Sequence, residues 1–95
     1  MRSVVESAEV MADVDDAKDR WGRAQDAWDA LFWVLARDPT VGEPLTEGGH
    51  LRSLVFDGSW AHEMPTVYVL YEVTELEVTI QKARFSDASS SAGQA

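Results

Sequence analysis

The clearest pattern along this chain is a pair of β-type runs between residues 66 and 85. Thr66–Val73 and Leu76–Arg84 are both rich in Val, Ile, Tyr and Thr, which favour strands. The interruption between them, Thr74-Glu75, is short enough for a tight hairpin. Because a two-stranded ribbon is only marginally stable alone, we expect a further strand or a helix to cover its apolar side.

Two earlier segments also alternate in the manner of strands. His50–Asp57 places Leu51, Ser53 and Val55 on one side and Arg52, Leu54 and Phe56 on the other, so it predicts a strand that pairs with the hairpin. Arg2–Val10 alternates less regularly but is rich in Val, which favours a first strand over a short helical turn. The Pro and Gly content of residues 38–49 and 58–65 predicts loops.

Between Asp13 and Arg37 the period changes to that of a helix. Apolar residues recur at spacings of three and four and form one stripe: Val14, Ala17, Trp21, Ala24, Trp28, Leu31 and Leu35. Asp13 is the predicted N-cap, and Pro39 predicts an end near Arg37. Gly22 marks either a bend or a junction between two shorter helices.

These patterns predict one α+β domain over residues 1–85. We expect a small antiparallel sheet of three to four strands, with strand 1 followed by strands 2-3-4 as a meander, packed against one long or bent helix. The tail, Ser86–Ala95, is small and polar, so we expect it to be disordered.

The second half of the predicted helix is apolar on more than one side. Consecutive helical residues lie about 100° apart, so the run from Trp28 to Leu35 cannot face a single sheet. Either Phe32 or Trp33 packs under the following loop, or the helix exposes an apolar patch for a partner or a second copy. The predicted partner-binding residues are Trp28, Phe32 and Trp33, together with Tyr68.

The charge balance limits the kinds of partner. The chain has 17 acidic and 8 basic residues, a formal net charge of −9, and its cations are scattered. This argues against nucleic acid held by bulk electrostatics. The absence of Cys suits a reducing compartment, and the most apolar run, Ala30–Ala36, is too short to span a bilayer, so we expect a cytoplasmic protein without membrane contact. We expect no cofactor and, since no short His spacing is present, no metal.

Few residues suggest chemistry. His50, Arg52 and His62 are candidates for acid–base work, and their alternative interpretation is ordinary surface side chains. Tyr68 and Tyr71 are three apart on one strand and therefore face opposite sides of the sheet. The outward tyrosine, with Arg84 or Lys82 on the adjacent strand, would form a ligand-facing patch or a simple cross-strand pair.

The order of these segments resembles the RelE/ParE toxin superfamily of bacterial toxin–antitoxin modules. The residues that carry the resemblance are Leu35, Asp38, Pro39, Gly42, Pro44, Leu45, Leu51-Arg52-Ser53-Leu54, Pro65, Val69-Leu70-Tyr71-Glu72-Val73, Val78 and Ile80. The resemblance implies a small sheet against a helical layer, with basic and tyrosine side chains on an exposed sheet face. In the ribosome-dependent members of that superfamily, such a face cleaves mRNA.

On this resemblance, the expected function is that of a toxin-superfamily protein diverged from the mRNA-cleaving members and neutralised by a small antitoxin-like partner. Any catalysis would be ribosome-dependent endoribonuclease chemistry, with Arg52, Arg84, Tyr71 and His50 as the catalytic candidates. This chain has Tyr68 where the nuclease members place a key arginine. The alternative function is a non-enzymatic interaction or dimerisation module on the same fold.

Overall fold

Two layers, a five-stranded mixed sheet and a pair of helices, make up this α+β fold. The computed structural model describes residues 3–87, except for the side chain of Trp60. Its elements are β1 (Ser3–Glu6), α1 (Ala8–Arg20), α2 (Ala24–Arg37), β2 (Glu43–Pro44), β3 (Leu51–Phe56), a 3-10 turn (Trp60–His62), β4 (Thr66–Val73) and β5 (Glu77–Ser86).

The prediction of one long helix is wrong, because the helical region breaks between Trp21 and Arg23. Trp21 is extended, with φ −128° and ψ 127°, and its N–H donates to the carbonyl of Ala17 to close α1. The backbone N–H of Arg23 then donates to the carbonyl of Glu63, 3.2 Å away in the loop before β4. A tertiary contact therefore replaces helical hydrogen bonds at the junction.

The first helix also begins earlier than the sequence predicts. Ser7, not Asp13, is the N-cap, and its side-chain oxygen accepts a hydrogen bond from the N–H of Val10 at 3.2 Å. The predicted first strand, Arg2–Val10, therefore ends at Glu6, and its last residues enter α1. Val10 is fully buried as the first core residue of that helix.

The predicted antiparallel sheet of three to four strands is also wrong. The strand order is β1-β5-β4-β3-β2, and β1 lies parallel to β5 from Ser3 opposite Glu77 to Glu6 opposite Ile80. Parallel neighbours need a long crossover connection, and here it consists of the two helices and the three strands that lie between β1 and β5 in the chain. β2 is a two-residue edge strand, a position where Pro44 is tolerated.

The core lies between the helices and one face of the sheet. Leu31 and Leu35 of α2 pack with Val67 and Val69 of β4, all at 0% exposure. Trp28 joins them and contacts the rings of Phe32 and Phe85, with centroid separations of 5.6 and 5.7 Å. All but one of the predicted helical stripe residues are buried, and the exception, Trp21, is half-buried at the helix junction.

The last strand and the residue after it extend beyond residue 85, the predicted end of the domain. β5 continues to Ser86, and the carboxylate of Asp87 accepts a hydrogen bond from the indole N–H of Trp21 at 2.9 Å. Most of the predicted disordered tail, residues 88–95, lies outside the described residues. Neither helix within residues 3–87 has the length and apolar content that a membrane span requires.

Candidate functional site

The sheet has a second face that the two helices leave uncovered, here called the open face. Strand alternation places Val67, Val69 and Tyr71 in the core and turns Tyr68 and Leu70 of β4 to the other side. The open face includes Val5 of β1, Leu51, Ser53 and Val55 of β3, Tyr68 and Leu70 of β4, and Lys82 and Arg84 of β5, and its acids include Glu43 of β2 and Glu72 of β4.

The register sets two cross-strand rows side by side on the open face. In one row Tyr68 lies between Val55 and Arg84, and in the next Leu70 lies between Ser53 and Lys82. Val55 is 54% exposed and Tyr68 is 40% exposed. Directly opposed side chains on a sheet are close enough to act together, so the two rows form one surface with apolar groups at its centre and both cations at its β5 side, and the second row ends at Glu43 on the β2 side.

The two cations of the open face have no partner within the described part of the chain. The ion pairs there join Lys18 to Asp15 and Arg23 to Asp26, both at the helices. Lys82 and Arg84 make no side-chain hydrogen bond or ion pair with any described residue. In a protein of net charge −9, these side chains are available to a carboxylate from outside.

Arg52, a catalytic candidate from the sequence, lies on the helix side of the sheet. Its Nε donates to the carbonyl of Gly49 at 2.9 Å, and its Nη1 donates to the carbonyls of Gly42 at 2.8 Å and Thr40 at 3.2 Å. The guanidinium therefore fastens the loop between α2 and β3 onto the sheet. Arg84 is on the opposite face, so the structure does not bring the two arginines together.

Tyr71 is fully buried beside Arg52 and binds the same loop. Its hydroxyl donates to the carbonyl of Pro39 at 2.8 Å and accepts the N–H of Gly42 at 2.9 Å. Burial raises the pKa of Tyr71, while the hydrogen bond from Gly42 and the charge of Arg52 act in the other direction. At neutral pH the phenol is protonated, as its donated hydrogen bond to Pro39 requires.

The histidines lie at opposite ends of the sheet region. The Nδ1 of His50 is 3.4 Å from the carbonyl of Val73, and the Nδ1 of His62 is 2.7 Å from the hydroxyl of Ser59. In nucleophilic catalysis, an imidazole that contacts a serine hydroxyl can act as the base that activates the serine. Here it belongs to an exposed loop turn of residues 59–64, and the hydrogen bonds of residues 3–87 give His62 no carboxylate to orient it.

The predicted partner-binding residues divide between the core and the surface. Trp28 is 3% exposed, and its indole N–H donates to the carboxylate of Glu6. Phe32 is half-buried against Trp28, whereas Trp33 is 55% exposed, with the guanidinium of Arg37 5.5 Å from its ring centroid. Tyr68, the fourth, lies on the open face.

Sequence reasoning did not identify Val55 and Leu70 as surface residues. The alternation of a strand separates its residues into two sets but does not show which set faces the helices. The burial of Tyr71 shows that Val55 and Leu70 belong to the set that faces away from them. The described residues contain no group of three or more His, Asp or Glu arranged to hold a metal ion.

No protein-family model matches this chain, and a search of curated proteins finds no significant match.

Proposed function

We propose that this protein is a non-enzymatic interaction module that binds a small protein partner through the open face. The observation that carries the proposal is a pair of cations, Lys82 and Arg84, that have no partner among residues 3–87 and lie next to exposed Tyr68 and Val55. Such a surface suits a partner segment that presents apolar side chains with carboxylates along one side. The absence of Cys supports a reducing, cytoplasmic setting for this pairing.

The positions of the other candidates support binding over catalysis. Arg52 and Tyr71, which the resemblance suggested as catalytic, direct their polar atoms at backbone groups of their own loop. A guanidinium that donates to three carbonyls is already engaged before any substrate arrives. On the open face itself, Arg84 and Lys82 supply positive charge beside the ring of Tyr68.

The binding test uses the product of the neighbouring reading frame as the partner, measured by titration calorimetry against the full chain. Val55→Asp is expected to weaken binding by about tenfold or more, since it places a charge in the apolar row. Arg84→Glu is expected to weaken it similarly and to lower the salt dependence of the affinity.

Two substitutions elsewhere serve as controls for that test. Val41→Asp changes a valine that is 43% exposed in the loop after α2, and Arg37→Glu makes the same charge change at the end of α2. Both should bind within about twofold of the original protein. Loss of binding in the controls equal to that in the open-face variants, or no binding by the original protein, would refute the proposal.

A second candidate function is an active toxin of the RelE/ParE type. The observation that favours it is Tyr68 opposite Arg84, with Lys82 nearby, because the resemblance implies basic and tyrosine side chains on an exposed sheet face. Induced expression should then arrest bacterial growth, Arg84→Ala should relieve the arrest, and Arg37→Ala should not. Normal growth with folded protein at high level would eliminate this candidate in that host.

A further inference from the structure

A groove runs along the seam between α1 and α2, on the other side of the molecule from the open face. Val14 of α1 and Trp28 of α2 form its floor, each less than 5% exposed. Its apolar walls are Met11, which is 51% exposed, and the half-buried Phe32. The groove has a volume of about 330 Å³.

The spacing of the lining residues shows the length of the groove. On α1 it extends from Met11 to Lys18, and on α2 from Gln25 to Phe32. The first and last residues of each stretch are seven positions apart, which corresponds to two helical turns or about 10 Å along the helix axis. A groove of this shape between two packed helices matches the side-chain ridge of a third helix, as in helical bundles.

The rim of the groove is acidic. Asp15, Asp29 and Glu6 line it with a single cation, Lys18. Lys18 pairs with Asp15 at 3.5 Å in an exposed contact, and Asp29 accepts a hydrogen bond from the amide of Gln25 at 2.7 Å, which leaves its negative charge in place. Glu6 is held at the groove by the indole N–H of Trp28 through one carboxylate oxygen.

The geometry points to a second interaction surface, in which the α1–α2 groove binds a basic amphipathic helix of a partner protein. The helix would insert apolar side chains, spaced at three and four, between Met11 and Phe32. Lys or Arg residues beside that stripe would meet Asp29, Asp15 and Glu6 at the rim. The groove is lined by three acids and one cation, whereas the open face places Lys82 and Arg84 together on β5, so the two surfaces would select different partner segments.

The experiment measures fluorescence anisotropy of two labelled synthetic peptides with the full chain. Both peptides are amphipathic helices with one leucine stripe, flanked by Lys in one and by Glu in the other. The Lys peptide is expected to bind about tenfold or more tightly than the Glu peptide and to weaken as salt is raised. Equal affinities for the two peptides would overturn the proposal.

Chain variants separate groove binding from general attraction to an acidic protein. Asp29→Lys is expected to weaken Lys-peptide binding about tenfold, while Asp16→Lys, the same charge change on the side of α1 that faces β5, should cost about twofold or less. Met11→Lys should weaken binding far more than Leu76→Lys, an 84% exposed leucine in the β4–β5 hairpin. Equal effects within either pair would refute the groove as the site.

The open-face variant distinguishes this inference from the proposed function. Val55→Asp should leave Lys-peptide binding within about twofold of the original, because Val55 lies on the far side of the sheet from the helices. A loss of peptide binding in Val55→Asp would place the peptide on the open face and overturn the groove inference. Circular dichroism of each variant confirms that it is folded before binding is compared.

Discussion

Gly42→Ala is expected to lower the free energy of unfolding by about 3 kcal/mol, because the added methyl group would overlap with packed neighbouring atoms. A Cβ at position 42 would lie 2.5 Å from the carbonyl oxygen of Ser53 and closer still to the hydroxyl oxygen of Tyr71. Because the Ser53 carbonyl belongs to the backbone of β3, the clash can be relieved only by moving the loop off the sheet. Urea unfolding followed by circular dichroism measures the change.

Gly22→Ala is the matched control for that experiment. A Cβ at position 22 would lie 3.4 Å from the Glu63 carboxylate, an ordinary contact with a flexible side chain. We expect the free energy of unfolding of this variant to stay within about 1 kcal/mol of the original. Ala reduces the conformational entropy of the unfolded chain, and this gain offsets a small steric cost in the folded protein. Equal losses in the two variants would show that the close approach of Gly42 to the Ser53 carbonyl and Tyr71 does not limit substitution.

Tyr71→Phe is expected to cost about 2 kcal/mol at neutral pH. The substitution removes one hydroxyl and leaves two groups without their partner, the N–H of Gly42 and the carbonyl of Pro39. Unpaired buried backbone groups carry a desolvation penalty, whereas the ring of Phe fills almost the same volume. Tyr68→Phe removes the corresponding hydroxyl from a 40% exposed ring and should change stability by less than about 0.5 kcal/mol.

The stability difference between the original protein and Tyr71→Phe is expected to depend on pH, and the burial of Tyr71 determines the direction of that dependence. Burial raises the pKa of Tyr71 in the folded protein, so its neutral form contributes stability below the unfolded pKa, near 10. As the pH rises past that value the unfolded phenol ionises first, and this contribution is lost. The stability difference between the original protein and Tyr71→Phe should therefore shrink above about pH 10, and a constant difference would contradict the account.

Tyr71 and Arg52 together hold the loop between α2 and β3 against the sheet by hydrogen bonds. Tyr71 binds it at Pro39 and Gly42, and Arg52 binds it at Thr40, Gly42 and Gly49. The two side chains are directly opposed on neighbouring strands. Arg52 and Tyr71, the catalytic candidates, thus hold the loop in place. The cations that lack a partner in the described part of the chain, Lys82 and Arg84, lie on the other face of the sheet.

Part of the candidate site was predictable from the strand period. The alternation requires that Tyr68 and Tyr71 face opposite sides, and it places one of them near Arg84 or Lys82. The structure assigns the outward position to Tyr68, directly opposite Arg84. The groove between the helices was not predicted, because the junction of two helices was only one of two alternatives at Gly22 and the sequence does not show how the two helices pack.

The sequence by itself determined the local elements whose signal repeats within a few residues. It placed β4 at Thr66–Val73, the hairpin into β5, and a strand at Leu51–Phe56 within one residue at each end. It also identified six residues of the buried helical stripe. These features follow from side-chain periodicity, which a strand or helix carries regardless of its neighbours.

Only the tertiary structure decided what depends on residues far apart in the chain. The parallel pairing of β1 with β5 joins residues more than 70 positions apart, and the helix break uses a hydrogen bond from Arg23 to Glu63. The role of Arg52 likewise required the loop carbonyls that surround it. Helix and strand propensities do not include such contacts, because these contacts stabilise the protein only when residues distant in the sequence come together in the fold.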